Sequence, residues 1–151
     1  MEIEKKYLTT NIPFDLDKFS KTEIQQCYIS TDPVIRIRKS NENYFLTFKG
    51  SGEISREEFE TLITKNQYEN LLKKAETKII SKTRYFIPLD NGLTAETDIY
   101  YGELKGLITT EVEFKTKTDC NSFIAPEWFG KDISSDNRYK NSSLSRFGLP
   151  K

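Results

Sequence analysis

At 151 residues, with 36% hydrophobic and 13% aromatic side chains, the chain has material for one core but not two, and its composition excludes wholesale disorder. Lys and Arg total 23 and so do Asp and Glu, which excludes a surface built throughout to bind nucleic acid. Histidine is absent, which removes the commonest general base, the commonest transition-metal ligand and every serine or cysteine mechanism relayed by imidazole. No apolar run approaches the length of a bilayer span, and the first residues are acidic where a secretory signal is basic and then apolar, so the expected location is cytoplasmic with no membrane partner. Cys27 and Cys120 have no short spacing, which predicts two buried free thiols and neither a disulfide framework nor a thiolate zinc site.

The chain opens on Met1-Glu2-Ile3-Glu4-Lys5-Lys6, a strand candidate in which alternation places Glu2, Glu4 and Lys6 on one face. Val34-Ile35-Arg36-Ile37-Arg38 alternates strictly and reads as the second strand, with Arg36 and Arg38 opposite Ile35 and Ile37. A turn at Asn41-Glu42-Asn43 leads into a strand over residues 44–49, the two forming a hairpin that ends in the flexible Lys49-Gly50-Ser51-Gly52. Residues 55–63 read as one strand, with Arg56, Glu58 and Glu60 opposite Phe59, Thr61 and Ile63. Thr64-Lys65-Asn66-Gln67 has the form of a capping box, and Tyr68, Leu71, Leu72 and Ala75 follow at helical spacing, which predicts a short helix packed on the sheet. Alternation returns over residues 81–88, where Lys82 and Arg84 share a face, and Asp90-Asn91-Gly92 makes a turn. Residues 93–101 place Glu96 and Asp98 together, and residues 107–115 place Glu111 and Glu113 opposite Val112 and Phe114, a second hairpin around Gly102 and Gly106. Beyond Lys117 the pattern changes to short helices and loops.

For any one strand, the plain reading is an antiparallel sheet with its charged face in water. The recurrence across strands points elsewhere. Arg36, Arg38, Lys49, Lys82 and Arg84 form a basic set, while Glu2, Glu4, Glu58, Glu60, Asp98, Glu111 and Glu113 form an acidic one. If the sheet closes with these faces inward, opposite charges line a wet interior and the apolar faces need covering helices. Fixed guanidinium and ammonium groups suit a chain of phosphates. Several carboxylates without histidine suit Mg²⁺ or Mn²⁺, which bridge protein acids to phosphate oxygens.

In order along the chain, Glu2-x-Glu4-x-Lys6, Ile35-Arg36-Ile37-Arg38, Phe48-Lys49-Gly50, Arg56-x-Glu58-x-Glu60, Lys82-x-Arg84, Asp98 with Gly102, and Glu111-x-Glu113 resemble the signature of the CYTH superfamily, the triphosphate tunnel metalloenzymes. The tail, Trp128-Phe129-Gly130-Lys131-Asp132 and Arg138-Tyr139-x-Asn141-Ser142, is similar to that family's ending. The resemblance implies a mainly β (α+β) fold: a closed eight-stranded antiparallel β-barrel, a tunnel with a few covering helices, as one domain over residues 1–151. It implies that Lys6, Arg36, Arg38, Lys49, Lys82 and Arg84 bind phosphate oxygens, with Lys131 as a further contact. Glu2, Glu4, Asp98, Glu111 and Glu113 would hold metal, and Arg56, Glu58 and Glu60 would support the site by orienting neighbours. Glu4, Lys6 and Glu113 are the residues it places closest to the chemistry.

The function implied is metal-dependent hydrolysis of tripolyphosphate, with ATP or thiamine triphosphate as other substrates. A cyclase releasing pyrophosphate from ATP, and a polyphosphate-binding module without turnover, are the alternatives. Tyr7, Tyr44 and Trp128 could stack on an organic ring, though core packing is the favoured role for each.

Overall fold

The computed structural model describes residues 1–52 and 55–151. Ten strands form one antiparallel sheet: β1 (Glu2–Leu8), β2 (Ser20–Thr31), β3 (Val34–Ser40), β4 (Asn43–Lys49), β5 (Ser55–Arg56), β6 (Glu58–Ile63), β7 (Ile80–Pro88), β8 (Thr94–Tyr100), β9 (Ile108–Glu113) and β10 (Lys131–Asp132). The path runs β10-β1-β9-β8-β7-β2-β3-β4-β6, and β5 returns to pair with β1. β5 and β6 are two halves of one bent stave, so eight staves go round the barrel. The predicted strand over residues 55–63 is therefore interrupted at Glu57, where the hydrogen-bonding partner changes. β6 lies along β4, with Glu58 opposite Lys49, whereas β5 sets Arg56 opposite Glu2.

Closure is slight. Beyond its long pairing with β9, β1 meets β5 only at Glu2 and Ile3, and β10 only at Tyr7 and Leu8. Gly130, at a φ of +87°, permits that last approach, because a Cβ there would collide with the carbonyl oxygen of Leu8.

The strand expected to be second is third. β2 precedes it as the longest strand in the barrel, pairing with both β3 and β7 and bulging between Tyr28 and Ser30. The helix predicted from the capping box is α1 (Lys65–Leu72), with the Thr64 side chain accepting from the Gln67 amide and the Gln67 side chain accepting from the Thr64 amide. Among the described residues, α2 (Lys117–Ser122) and α3 (Asn141–Phe147) are the other α-helices. Among the described residues, no helix is long and apolar enough to cross a membrane.

Much of the apolar core lies on the outer face of the sheet under covering segments. Ile3, Tyr7, Ile87, Ala95, Val112 and Phe114 on the outer face of the β1, β7, β8 and β9 staves pack under Cys120 of α2 and Phe129, with Phe14, Phe19 and Trp128 around them. Cys27 and Ile37 pack under Tyr68 of α1. α3 brings Leu144 against Ile80, Tyr100, Leu104 and Leu107 where the β8–β9 connection leaves the barrel. Burying each such side chain contributes about 1.5–3 kcal/mol. The outer layer thus supplies the stability that an interior of charges cannot. Cys27 and Cys120 are buried and free, as their spacing predicts. Tyr7, Tyr44 and Trp128 pack on Phe129, Tyr68 and Phe14 respectively, so the core role is the observed one for all three.

Candidate active site

A cavity of about 540 Å³ lies inside the barrel. Because residues two apart share a face, eight of the ten strands contribute charged side chains of one parity to this space. Glu2, Glu4 and Lys6 come from β1, Arg36 and Arg38 from β3, Lys49 from β4, Arg56 from β5, Glu58 and Glu60 from β6, Arg84 from β7, Glu96 from β8, and Glu111 from β9 with Glu113 at its end. Tyr139 and Asn141 from the C-terminal segment complete the wall.

The bases and acids are interlocked. Glu2 is 3.1 Å from Lys49 Nζ and 3.4 Å from Arg56 Nε, and Glu60 is 3.6 Å from Arg36 Nη2. Thr47 bridges that last pair, its hydroxyl accepting from Arg36 Nη2 at 3.2 Å and donating to Glu60 Oε1 at 2.9 Å. Glu60 therefore orients an arginine, as the resemblance implies for it. Lys6 Nζ donates to the Tyr139 carbonyl at 2.6 Å, tying β1 to the C-terminal segment. Arg38 Nε donates to Gln26 Oε1 at 3.0 Å.

Three expected residues lie elsewhere. Asp98 and Lys82 have the right parity but sit below the cavity wall with fully buried side chains. Asp98 Oδ1 and Oδ2 accept from Arg84 Nε and Nη2 at 2.8 and 2.9 Å, and Lys82 Nζ lies 2.8 Å from Oδ2, at an angle too poor for a hydrogen bond. Both oxygens of Asp98 are thus committed to cations of the chain, which corrects the expectation that it holds metal. The same contact directs Lys82 to Asp98 instead of phosphate. Lys131 is exposed on β10, paired with Leu8, beside an open depression on the outside of the barrel, so it makes no cavity contact.

Glu96 belongs to the site and was missed as a site residue. It lies 3.5 Å from Arg84 Nη1, and its shared parity with Asp98 is the signal that could have found it. Gln26, Thr47, Tyr139 and Asn141 left no charge pattern to read, although Tyr139 and Asn141 fall within the tail motif.

The carboxylates divide by their surroundings. Burial pushes Glu111 up, but Lys6, Arg84 and Lys82 more than offset it and hold its carboxyl far below the usual range. Burial likewise opposes ionisation of Glu2, and Lys49 and Arg56 again prevail. Glu4 is pushed well up by burial and by Glu111 and Glu2. Glu113 is pushed up to about 7 by burial and by Glu96, Glu2, Glu111 and Glu58. Carboxylate oxygens of Glu2, Glu4 and Glu113 all lie within 4.8 Å of one another. Oxygen-only donors, crowded so closely that two of them resist ionisation, fit a hard divalent cation.

This crowding has a measurable sign. With folded pKa values above the ordinary 4.5, Glu4 and Glu113 bind more protons folded than unfolded, so their contribution to stability is present at low pH and lost as pH rises toward the folded value. In chelator, the midpoint of thermal unfolding should therefore fall between about pH 5 and pH 7. A divalent cation should raise it more at pH 7 than at pH 5, and calorimetry giving the reverse order would remove the acidic cluster as the cation's site.

A family model described as the CYTH domain matches residues 1–146. The chain belongs to the CYTH family. Within it, the chain is similar to an inorganic triphosphatase of Nitrosomonas europaea, 36% identical over 147 residues that cover 95% of this chain and 96% of the relative. An inorganic triphosphatase of Acetivibrio thermocellus is 32% identical over 146 residues, covering 95% and 92%. Among solved structures, the inorganic triphosphatase NE1496 superposes with a TM-score of 0.70 at 34% identity, covering 96% of this chain and 94% of that one. A putative adenylyl cyclase from Hippeastrum, described as having a dominant triphosphatase activity, shares the fold at a TM-score of 0.61 and 16% identity, covering 80% and 83%. The barrel that the resemblance implies is the fold observed, with charged faces of its strands turned inward.

Proposed function

We propose that this CYTH chain is a divalent-metal-dependent inorganic triphosphatase that hydrolyses tripolyphosphate to pyrophosphate and orthophosphate. The observation that carries this reading is the close trio Glu2, Glu4 and Glu113 sharing one cavity with Arg36, Arg38, Lys49 and Arg84. An anion-binding module gains nothing from that many acids. The similarity to inorganic triphosphatases over nearly the whole chain supports the same reading.

Glu2, Glu4 and Glu113 would hold the cation, Mg²⁺ or Mn²⁺ by their all-oxygen chemistry. When bound, such a cation supplies Lewis acidity to phosphoryl oxygens and to the attacking water. The remaining work falls to the chain. Arg36, Arg38, Lys49 and Arg84 grip the phosphate chain through oxygens whose charge spreads as the bond to the leaving pyrophosphate lengthens, and their positions are set before substrate arrives. Lys6, anchored through Tyr139, adds a point charge beside Glu4 and Glu111. As the water oxygen bonds to the terminal phosphorus and the bond to pyrophosphate breaks, the water's proton passes to a carboxylate of the cavity. A cytoplasmic location belongs to this reading and accords with two free thiols.

The test is release of orthophosphate and pyrophosphate from tripolyphosphate, thiamine triphosphate and ATP, each with Mg²⁺, Mn²⁺ or chelator. Metal-dependent release fastest from tripolyphosphate is the expected outcome. Pyrophosphate with cyclic nucleotide from ATP would make the chain a cyclase, and tight binding with no product anywhere would make it a sensor.

A further inference from the structure

Among the described residues, Arg38 is the one cavity-lining guanidinium that enters no ion pair. Arg36 is held by Glu60, Arg56 by Glu2 and Glu4, and Arg84 by Asp98, Glu96 and Glu111. Its partner is neutral instead. Gln26 stands directly opposite Arg38 in the β2–β3 register and is completely buried, and its Oε1 accepts from Arg38 Nε at 3.0 Å. That bond fixes the orientation of the amide, because only the oxygen can accept. Gln26 Nε2 is then left as a buried donor with no acceptor among the described residues, and Arg36 Nε nearby on β3 is another. Buried donors without acceptors are rare in folded chains, and their concentration around one unquenched cation marks a place completed by an anion.

We infer that Gln26 is a positioning residue for substrate binding: it meets the Arg38 guanidinium with a neutral acceptor where a carboxylate would pair with it, so that the cation's full charge remains for the triphosphate. The surroundings agree. Burial and the like charges of Arg36 and Arg84 weaken the hold of Arg38 on its proton, pushing it down to about 9, so this corner is short of negative charge and gains most from an arriving anion. A glutamate at position 26 would offer the same acceptor atom at the same distance and would quench the charge. The choice of amide over acid is therefore a choice about charge, made at a residue outside the cavity wall that carries no signal in the charge pattern.

The inference rests on the triphosphatase reading only for its probe, since binding is measured without turnover. Affinity for tripolyphosphate is read by titration calorimetry in chelator for the unmodified chain, Gln26→Glu and Gln26→Met. If Gln26 preserves the charge of Arg38, Gln26→Glu weakens binding tenfold or more although it keeps the acceptor, while Gln26→Met, which loses the acceptor but keeps the charge, weakens it less than threefold. A simple structural tether gives the opposite order, with the glutamate variant near the unmodified chain and the methionine variant impaired. Either that order or equal losses in both variants overturns the inference. If circular dichroism finds Gln26→Glu unfolded, Gln26→Met decides alone: a loss under threefold supports the proposal and a loss of tenfold overturns it. Hydrolysis is assayed separately, so a chain that binds as expected without releasing phosphate defeats the triphosphatase reading and leaves the role of Gln26 standing.

Discussion

Glu4→Gln should lower metal-dependent release of orthophosphate from tripolyphosphate about a thousandfold, equivalent to about 4 kcal/mol in the barrier, at every metal concentration tried. Glu4 stands directly across the β1–β9 ladder from Glu113, and like charges opposite each other repel unless something positive lies between them. Glu2, on the same face of β1, brings the third carboxylate to the group. The amide keeps the volume and shape of the side chain but removes one charge and one anionic ligand, so cation affinity drops and the field at the phosphoryl group weakens together. The metal-free protein should respond in the opposite sense. Burial, Glu111 and Glu2 all disfavour the Glu4 carboxylate, so Glu4→Gln should unfold at a higher temperature than the unmodified chain in chelator at pH 7. Activity lost and metal-free stability gained in one variant is a combination that misfolding cannot produce. Activity within tenfold of the unmodified chain would remove Glu4 from the site.

How far the sequence could be read was set by what alternation encodes. Period two reports which face of a strand a residue occupies, and Glu2, Glu4 and Lys6, Arg36 and Arg38, and Glu111 and Glu113 all lie on the predicted common face, around one cavity. Depth is not encoded. Lys82 and Asp98 have the same parity as Arg84 and Glu96, yet they lie one layer lower, where β8 approaches the Tyr100 and Leu144 cluster and water is absent. β2 escaped detection for a related reason. Its inward positions, Thr22, Ile24, Gln26 and Tyr28, stand opposite Arg84, Lys82, Arg38 and Arg36 but carry no charge themselves, so neither a charged nor an apolar stripe develops along β2. The break at Glu57 is invisible in parity because the faces of β5 and β6 agree across it, and only the hydrogen-bonding partner changes. Lys131 belongs to a motif resembling the family's ending, but β10 is two residues long and leaves Lys131 exposed beside a separate depression, outside the cavity lining, a placement that the motif does not encode.

Asp98→Ala should destabilise the fold by about 3–5 kcal/mol, the range for removing one partner of a buried charge cluster. Both oxygens of Asp98 are engaged, and the side chains of Asp98 and Lys82 are wholly out of water, so truncation strands two cations where solvent cannot reach to compensate. Arg84 retains Glu96 at 3.5 Å and Glu111 at 3.7 Å, whereas Lys82 keeps only the face of Tyr100, 5.3 Å from its nitrogen. Most of the loss should therefore arise at Lys82, and Asp98→Ala with Lys82→Met should recover part of it. Lys82 also gives the loss a pH signature. Burial already pushes its ammonium down to about 7 against the pull of Asp98, below the ordinary 10.5, so the folded chain sheds that proton before the unfolded chain does. A lysine shifted downward weakens the fold below its folded pKa and weakens it less as pH rises toward the unfolded value. Without Asp98 the folded pKa falls further, so the two folded chains differ in protonation only below about 7, and the deficit of Asp98→Ala should be level from pH 9 to about pH 7 and widen from there down to pH 6. Denaturant unfolding of the single and double variants across that range measures both effects. A deficit under about 1 kcal/mol, or one independent of pH, would mean that water reaches Lys82 and that the layer beneath the tunnel is open instead of sealed.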